Sequence, residues 1–246
     1  MINIKKGKIK TPITAAIYGV EGVGKTTLAA AMPGALILDV ENGSGNYDVA
    51  RVTGFEDLPA LYGAMKDLID NAAEYHRQGF YTVVVDTVDA VENLLMVPYV
   101  LKAHGHEGGT LADFDWGRGY ELEAAEFNRF LRAGNALNAA GYNVMYIAHC
   151  SQKVVNPPDN PPYSHYEISL NKRPAALLKE RVDMLLFATY ETYVTKEGTT
   201  NKAKGSKRVL VCAHAAYADA KNRVGLPDRV DLDPARITPF FVGPAK

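Results

Sequence analysis

The sequence predicts an α/β fold, a doubly wound, mainly parallel sheet that ends in an antiparallel hairpin. Three observations carry this. Short β-branched runs recur along the chain, helical apolar periods alternate with them, and the last third switches to consecutive strands. The runs Ile13 to Tyr18, Ala35 to Val40, Tyr81 to Val85 and Asn143 to Ala148 are bounded by turn residues, and Gly34, Gly79 or Gly141 closely precedes each of the last three. Near-continuous apolar character predicts strands buried on both faces, as in a parallel sheet. Between them, Leu58, Leu61, Met65, Leu68 and Ile69 keep a helical period, and so do Leu122, Ala125, Phe130, Leu131 and Leu137. Farther on, Met184 to Tyr190 and Arg208 to Ala213 predict the hairpin, joined by a Lys-, Gly- and Thr-rich connection from Thr195 to Lys207. Two stretches predict long loops: the glycine-rich Ala103 to Gly119, and Ser151 to His165 with Pro157, Pro158, Pro161 and Pro162.

The 246 residues are 47% hydrophobic and 22% charged, ordinary globular values that exclude wholesale disorder. They predict one domain over 1–246, with a core from about 10 to 230 and short tails. Lys+Arg 27 against Asp+Glu 28 excludes a uniformly basic nucleic-acid coat and leaves room only for a local basic surface. Cys150 and Cys212 are too few and too distant for a disulfide framework, which predicts a reducing, cytoplasmic setting. No apolar run reaches the ~18 residues of a membrane span, and no signal-length apolar core follows the lysines of the first ten residues, so neither secretion nor membrane insertion is expected.

The most specific motif is Gly19, Val20, Glu21, Gly22, Val23, Gly24, Lys25, Thr26 and Thr27, a full match to the phosphate-loop pattern G-x-x-x-x-G-K-[ST]. A predicted strand precedes it and an Ala/Leu-rich helix follows, which is the setting the chemistry requires. Glycines let successive backbone N–H groups face phosphate oxygens, Lys25 neutralises the β/γ-phosphates, and the Thr26 hydroxyl is suited to bind Mg²⁺. ATP and Mg²⁺ are therefore the expected ligands.

A metal-bound nucleotide also needs a carboxylate at the end of a neighbouring strand, and Tyr81 to Asp86 supplies one. Alone, Asp86 also reads as a strand terminus or helix cap; with the phosphate loop upstream, it reads as the second metal ligand. Asp89 reads as the cap of the next helix. Hydrolysis further needs a group that orients the attacking water, and Glu41, just past the strand holding Asp39, is the candidate. The alternative for Glu41 is a solvated turn carboxylate. His149 closes the strand Asn143 to Ala148 at the edge where α/β folds collect ligands, and it is suited to hydrogen-bond the γ-phosphate. A zinc site from His149, Cys150, Cys212 and His214 fits no standard spacing.

In chain order, Gly19 to Thr27, Leu38 to Glu41, Val83 to Thr87, Tyr146 to His149 and Lys221 to Gly225 together resemble the RecA/RadA class of recombination ATPases. They are most similar to the compact RecA-like ATPases of bacteriophages, a group that includes single-strand annealing proteins. The resemblance implies a RecA-like P-loop NTPase fold, with Glu41 as catalytic glutamate and His149 as γ-phosphate sensor. It implies a homo-oligomer, filament or ring, in which Lys221 and Arg223 reach the nucleotide of an adjacent subunit. Val224 stands where the RadA motif has phenylalanine, and the chain is too short for the appended regions of RecA or the zinc element and protease-like domain of RadA.

The resemblance also implies single-stranded DNA as partner, a single-strand DNA-binding protein as a second one, and the cytoplasm of a bacterial host. DNA-contacting loops would follow the Asp86 and His149 strands. Phe114, Trp116, Arg118 and Tyr120 combine aromatic faces with a cation, and Lys153, Lys172 and Arg173 are suited to phosphates. The same aromatics also fit a loop packed on its own domain. Two other functions fit the phosphate loop: an ATP-controlled assembly switch that never touches DNA, and a small-molecule kinase, which the lack of an arginine-rich lid disfavours.

Overall fold

The computed structural model describes residues 11–159, 161–197 and 200–243, and of 193–204 the backbone only. The first strands are β1 (Thr14–Gly19), β2 (Ala35–Asp39), β3 (Ala50–Val52) and β4 (Thr82–Asp86). They are followed by β5 (Asn143–Val155), β6 (Tyr163–Ile168) and β7 (Met184–Tyr190). Then come β8 (Tyr193–Glu197), β9 (Thr200–Lys204), β10 (Arg208–Val211), β11 (Lys221–Asn222) and β12 (Arg229–Asp231). The main sheet runs β12-β10-β7-β1-β5-β4-β2-β3, parallel from β7 to β3 and antiparallel from β7 to β12. The expected α/β class, parallel sheet and C-terminal antiparallel pair are all present.

Strand alternation divides the core in two, because successive side chains point to opposite faces. From β1, Ala16 and Tyr18 enter one cluster while Ala15 and Ile17 enter the other. The first cluster packs under α2 (Leu58–Asp70), buried through Leu58, Leu61, Met65 and Leu68, in the stripe the sequence predicts. The Asp57 side chain caps this helix by accepting the Ala60 N–H at 2.8 Å. The second cluster packs under α1 (Lys25–Ala30) and the C-terminal segment through Ile237 and Phe241.

After the short α3 (Ala72–Arg77) and β4, the chain turns into α4 (Val88–Ala90). This continues through a π-helical stretch, Val91–Met96, into α5 (Val97–Ala103). Thr87 caps it by accepting the Ala90 N–H at 3.2 Å, so Asp89 is not the cap, contrary to the sequence reading. The long α6 (Arg118–Ala139) and α7 (Lys172–Arg181) complete this face. In α6, Ala125 is exposed and Leu122 half-buried; the buried stripe is Glu123, Phe127, Phe130, Leu131 and Leu137.

Both predicted loops need correction. Residues 111–117 form two 3₁₀ turns, Leu111–Asp113 and Asp115–Gly117, and Arg118 already belongs to α6. The stretch from Ser151 to His165 is instead a ribbon: β5 outruns the parallel sheet and pairs antiparallel with β6, from Cys150 opposite Ile168 to Val155 opposite Tyr163. Its prolines lie in the connection between the two strands, where no ladder hydrogen bonds are needed. Among the described residues, no helix is long and apolar enough to cross a membrane.

Candidate functional site

At the carboxyl edge of the sheet, four parallel neighbours, β1, β5, β4 and β2, come level. Gly19 of β1 is in register with His149 of β5, and Ile147 of β5 with Asp86 of β4. Asp86 is in turn level with Asp39 of β2, which delivers Glu41 two residues later. The strand carrying His149 thus lies between the phosphate-loop strand and the Asp86 strand, and all four sequence candidates converge on one edge.

The phosphate loop leaves β1 at Gly19, where a Cβ would lie 2.0 Å from the Ala188 carbonyl oxygen, so only glycine permits β1 and β7 to approach here. Gly24 has φ 103°, a left-handed conformation that turns the backbone into α1. Lys25 is buried, and its ammonium donates to the carbonyls of Gly19 at 2.9 Å and Val20 at 3.1 Å. Burial holds its pKa below the ordinary lysine value, even with Asp86 and Asp89 nearby.

The Thr26 hydroxyl donates to Asp86 Oδ2 at 2.8 Å. Burial pushes the Asp86 carboxyl up to about 6; the Thr26 hydrogen bond opposes this, and the charges of Glu41 and Asp39 add to it. An alcohol and a carboxylate side by side are the hard oxygen donors Mg²⁺ takes, and the crowded acids have a charge deficit that a cation would relieve. Thr26 and Asp86 therefore fit the ion and would hold it; bound there, it neutralises phosphate charge.

Asp39 is almost wholly buried and accepts from the Gly43 N–H at 3.0 Å, the Ser44 N–H at 2.8 Å and the Ser44 hydroxyl at 2.6 Å. This clamp fixes the turn that presents Glu41. Glu41 Oε1 accepts from the Thr87 hydroxyl at 2.8 Å and lies 3.9 Å from His149 Nδ1. Asp89 contacts His149 twice, accepting its backbone N–H at 3.0 Å and facing Nδ1 at 2.7 Å. Ligating atoms of Glu41, Asp89 and His149 lie within 4.8 Å of one another, so Asp89 joins the site by orienting the imidazole. The cysteines join no such cluster among the described residues; Cys212 is buried and Cys150 half-buried.

These groups surround a cavity of about 330 Å³ between Lys25, Thr26, Asp86, Glu41 and His149. Its wall includes Arg208, which the sequence places at the start of the second hairpin strand, after the Lys-rich connection, and not at the phosphates. Lys196, Lys202 and Lys204 of that connection have side chains outside the described residues.

Lys221 and Arg223 do not join this edge. β11 pairs with the start of β7, Lys221 opposite Leu185, whereas the phosphate loop abuts Ala188. The Lys221 ammonium donates to the carbonyls of Lys179 at 2.9 Å and Glu180 at 2.8 Å, satisfying the end of α7, and Arg223 lies 3.8 Å from Asp183.

Of the aromatic set, Phe114 is buried against His106, ring centroids 4.0 Å apart, and is unavailable for stacking on a base. Trp116 is 102% exposed with φ 55°, and Tyr120 is partly exposed on the first turn of α6 beside Arg118. Lys153 on the ribbon pairs with Glu167, and Arg173 with Glu121 at 3.2 Å. Sequence comparison agrees with the geometry: a family described as "AAA domain" matches residues 11–224. No curated protein matches the chain.

Proposed function

The chain belongs to the AAA domain family, an AAA-like P-loop ATPase, and from that premise we propose that it hydrolyses ATP with Mg²⁺ and couples nucleotide state to single-stranded DNA. The observation that carries the hydrolytic part is the convergence of Lys25, Thr26, Asp86, Glu41 and His149 on one cavity. Lys25 exchanges its two loop carbonyls for phosphate oxygens, Glu41 orients and deprotonates water, and His149, held by Asp89, meets the γ-phosphate. A RecA-like role in bacteriophage recombination or annealing is the finer form of this reading. Lys221 and Arg223 enter it as cations offered to a neighbouring subunit.

The DNA part is supported by Trp116, fully exposed in a left-handed conformation that bulky residues avoid, next to Arg118 and Tyr120. A ring held in solvent by a costly backbone conformation is suited to stacking on unpaired bases. The discriminating measurement is phosphate release against protein concentration, with and without oligothymidine. DNA-stimulated, concentration-dependent release, abolished by Lys25→Ala, supports the reading. Hydrolysis indifferent to DNA favours the ATP-controlled assembly switch, and an absence of hydrolysis removes the enzyme.

A further inference from the structure

We propose that Arg208 binds the α- and β-phosphates of the nucleotide from within the same chain, an inference that rests on the nucleotide reading above. Arg208 begins β10, which pairs with β7 on the side of β1 opposite to β5, β4 and β2. The phosphate loop is thus flanked by carboxylates and an imidazole on one side and by a guanidinium on the other.

Two contacts bring this cation to the loop. Arg208 is in register with Tyr190, whose hydroxyl donates to the Gly22 carbonyl at 3.1 Å, fastening the β7–β10 pair to the loop. A Cβ built on Gly24 would lie 2.9 Å from Arg208 Nη1 and 3.9 Å from Thr27 Oγ1, so the guanidinium sits directly over the residue preceding Lys25. The absent side chain at Gly24 is what leaves room for it.

The charge of the cavity favours such a group. Glu21, Asp39, Glu41 and Asp86 line it, against the cations Lys25 and Arg208. Even with Mg²⁺ held at Thr26 and Asp86, a polyphosphate entering among four carboxyls gains from a cation besides Lys25, and a planar guanidinium matches phosphate oxygens two at a time. Its side of the loop also decides which phosphates it meets. Thr26, Asp86, Glu41 and His149 gather where the γ-phosphate and water belong, so the opposite flank faces the inner phosphates. A cation there stabilises the charge that accumulates on the leaving ADP. It does so in the isolated chain, the role the sequence reading gave to Lys221 and Arg223 across an interface.

Titration calorimetry of ADP and ATP, each with Mg²⁺, tests this on the wild type, Arg208→Ala and Arg208→Lys. Arg208 is solvent-exposed, so both variants should melt with the wild type. The expected result is a loss of about tenfold or more in affinity for both nucleotides in Arg208→Ala, partly restored in Arg208→Lys. Unchanged ADP affinity in Arg208→Ala overturns the inference, whether or not ATP binding falls. If the wild type binds neither nucleotide, it is the nucleotide reading itself that fails.

Discussion

Asp89 grips His149 at two points, the backbone N–H at 3.0 Å and the ring Nδ1 at 2.7 Å. Asp86 and Asp89 are three residues apart where β4 turns into α4, so one turn carries both the carboxylate bonded to Thr26 and the group that aims the imidazole. With Nδ1 engaged by Asp89, the ring nitrogen left to meet a ligand is Nε2.

Asp89→Asn presents an amide that can place an N–H donor against Nδ1, which favours the opposite tautomer. The expected outcome is a fall in kcat of about tenfold or more with ATP affinity preserved, because the ring is misdirected and not removed. Steady-state kinetics with equilibrium nucleotide binding separates the two terms. A parallel loss of affinity would mean that Asp89 merely supports the fold.

Asp86 makes the site sensitive to acid. Its folded pKa of about 6 lies above the ordinary aspartate value, so the carboxyl is protonated as pH falls through 6 and its hold on a cation is lost. Mn²⁺ binding to the nucleotide-free protein should weaken from pH 7.5 to 5. Stability runs the other way: a raised acid pKa stabilises fully below the unfolded value, and this contribution is lost as pH rises through about 6. Asp86→Asn should therefore raise the melting temperature at neutral pH, through a stabilisation of at most about 3 kcal/mol, while abolishing hydrolysis.

Glu92 on the π-helical stretch and Glu123 on α6 are both buried around Asn171, at the start of α7. Glu92 accepts the Asn171 N–H through both oxygens at 3.1 Å, and the Asn171 side-chain amide donates to Glu123 at 2.7 Å. Burial first, and then mutual repulsion for Glu92, raise both pKa values above the glutamate range. The pair is best satisfied sharing a proton, so stability should decline as pH rises above that range. Glu123→Gln should flatten this decline, measured as melting temperature from pH 5 to 9; an unchanged slope would place the sensitivity elsewhere.

Trp116 is the chain's single tryptophan, so its emission reports directly on the exposed turn. Oligothymidine should quench it, and Trp116→Ala should weaken binding by about tenfold, within the ~1–3 kcal/mol of base stacking, at unchanged thermal stability. Emission indifferent to DNA would remove this residue from the interface.

The parts legible in the sequence were those written in local chemistry. Gly19 to Thr27 and the strand ending at Asp86 announce themselves because glycine spacing and an apolar run are sequence-local signals. Arg208 was hidden for the opposite reason: only the antiparallel return of β10 beside β7 brings it to the phosphate loop, 184 residues after Gly24. Glu123 was equally hidden, since a charged residue in a helical stripe reads as solvent-facing until Asn171 from another helix supplies its donor. The ribbon after His149 was masked by composition. Its strands lie mostly outside the apolar core, so Ser151 to Val155 lacks the apolar character that marks β1 or β4.

The 13-residue β5 crosses from the sheet into that ribbon without interruption. From His149 to Val155 is about 20 Å of extended strand with no helix, glycine or turn between. The Tyr18 hydroxyl, donating to the carbonyls of Tyr166 at 3.2 Å and Asp219 at 2.6 Å, ties the root of the ribbon back to β1, so the strand that carries His149 and the strand that opens the phosphate loop are fastened together where the ribbon leaves the sheet.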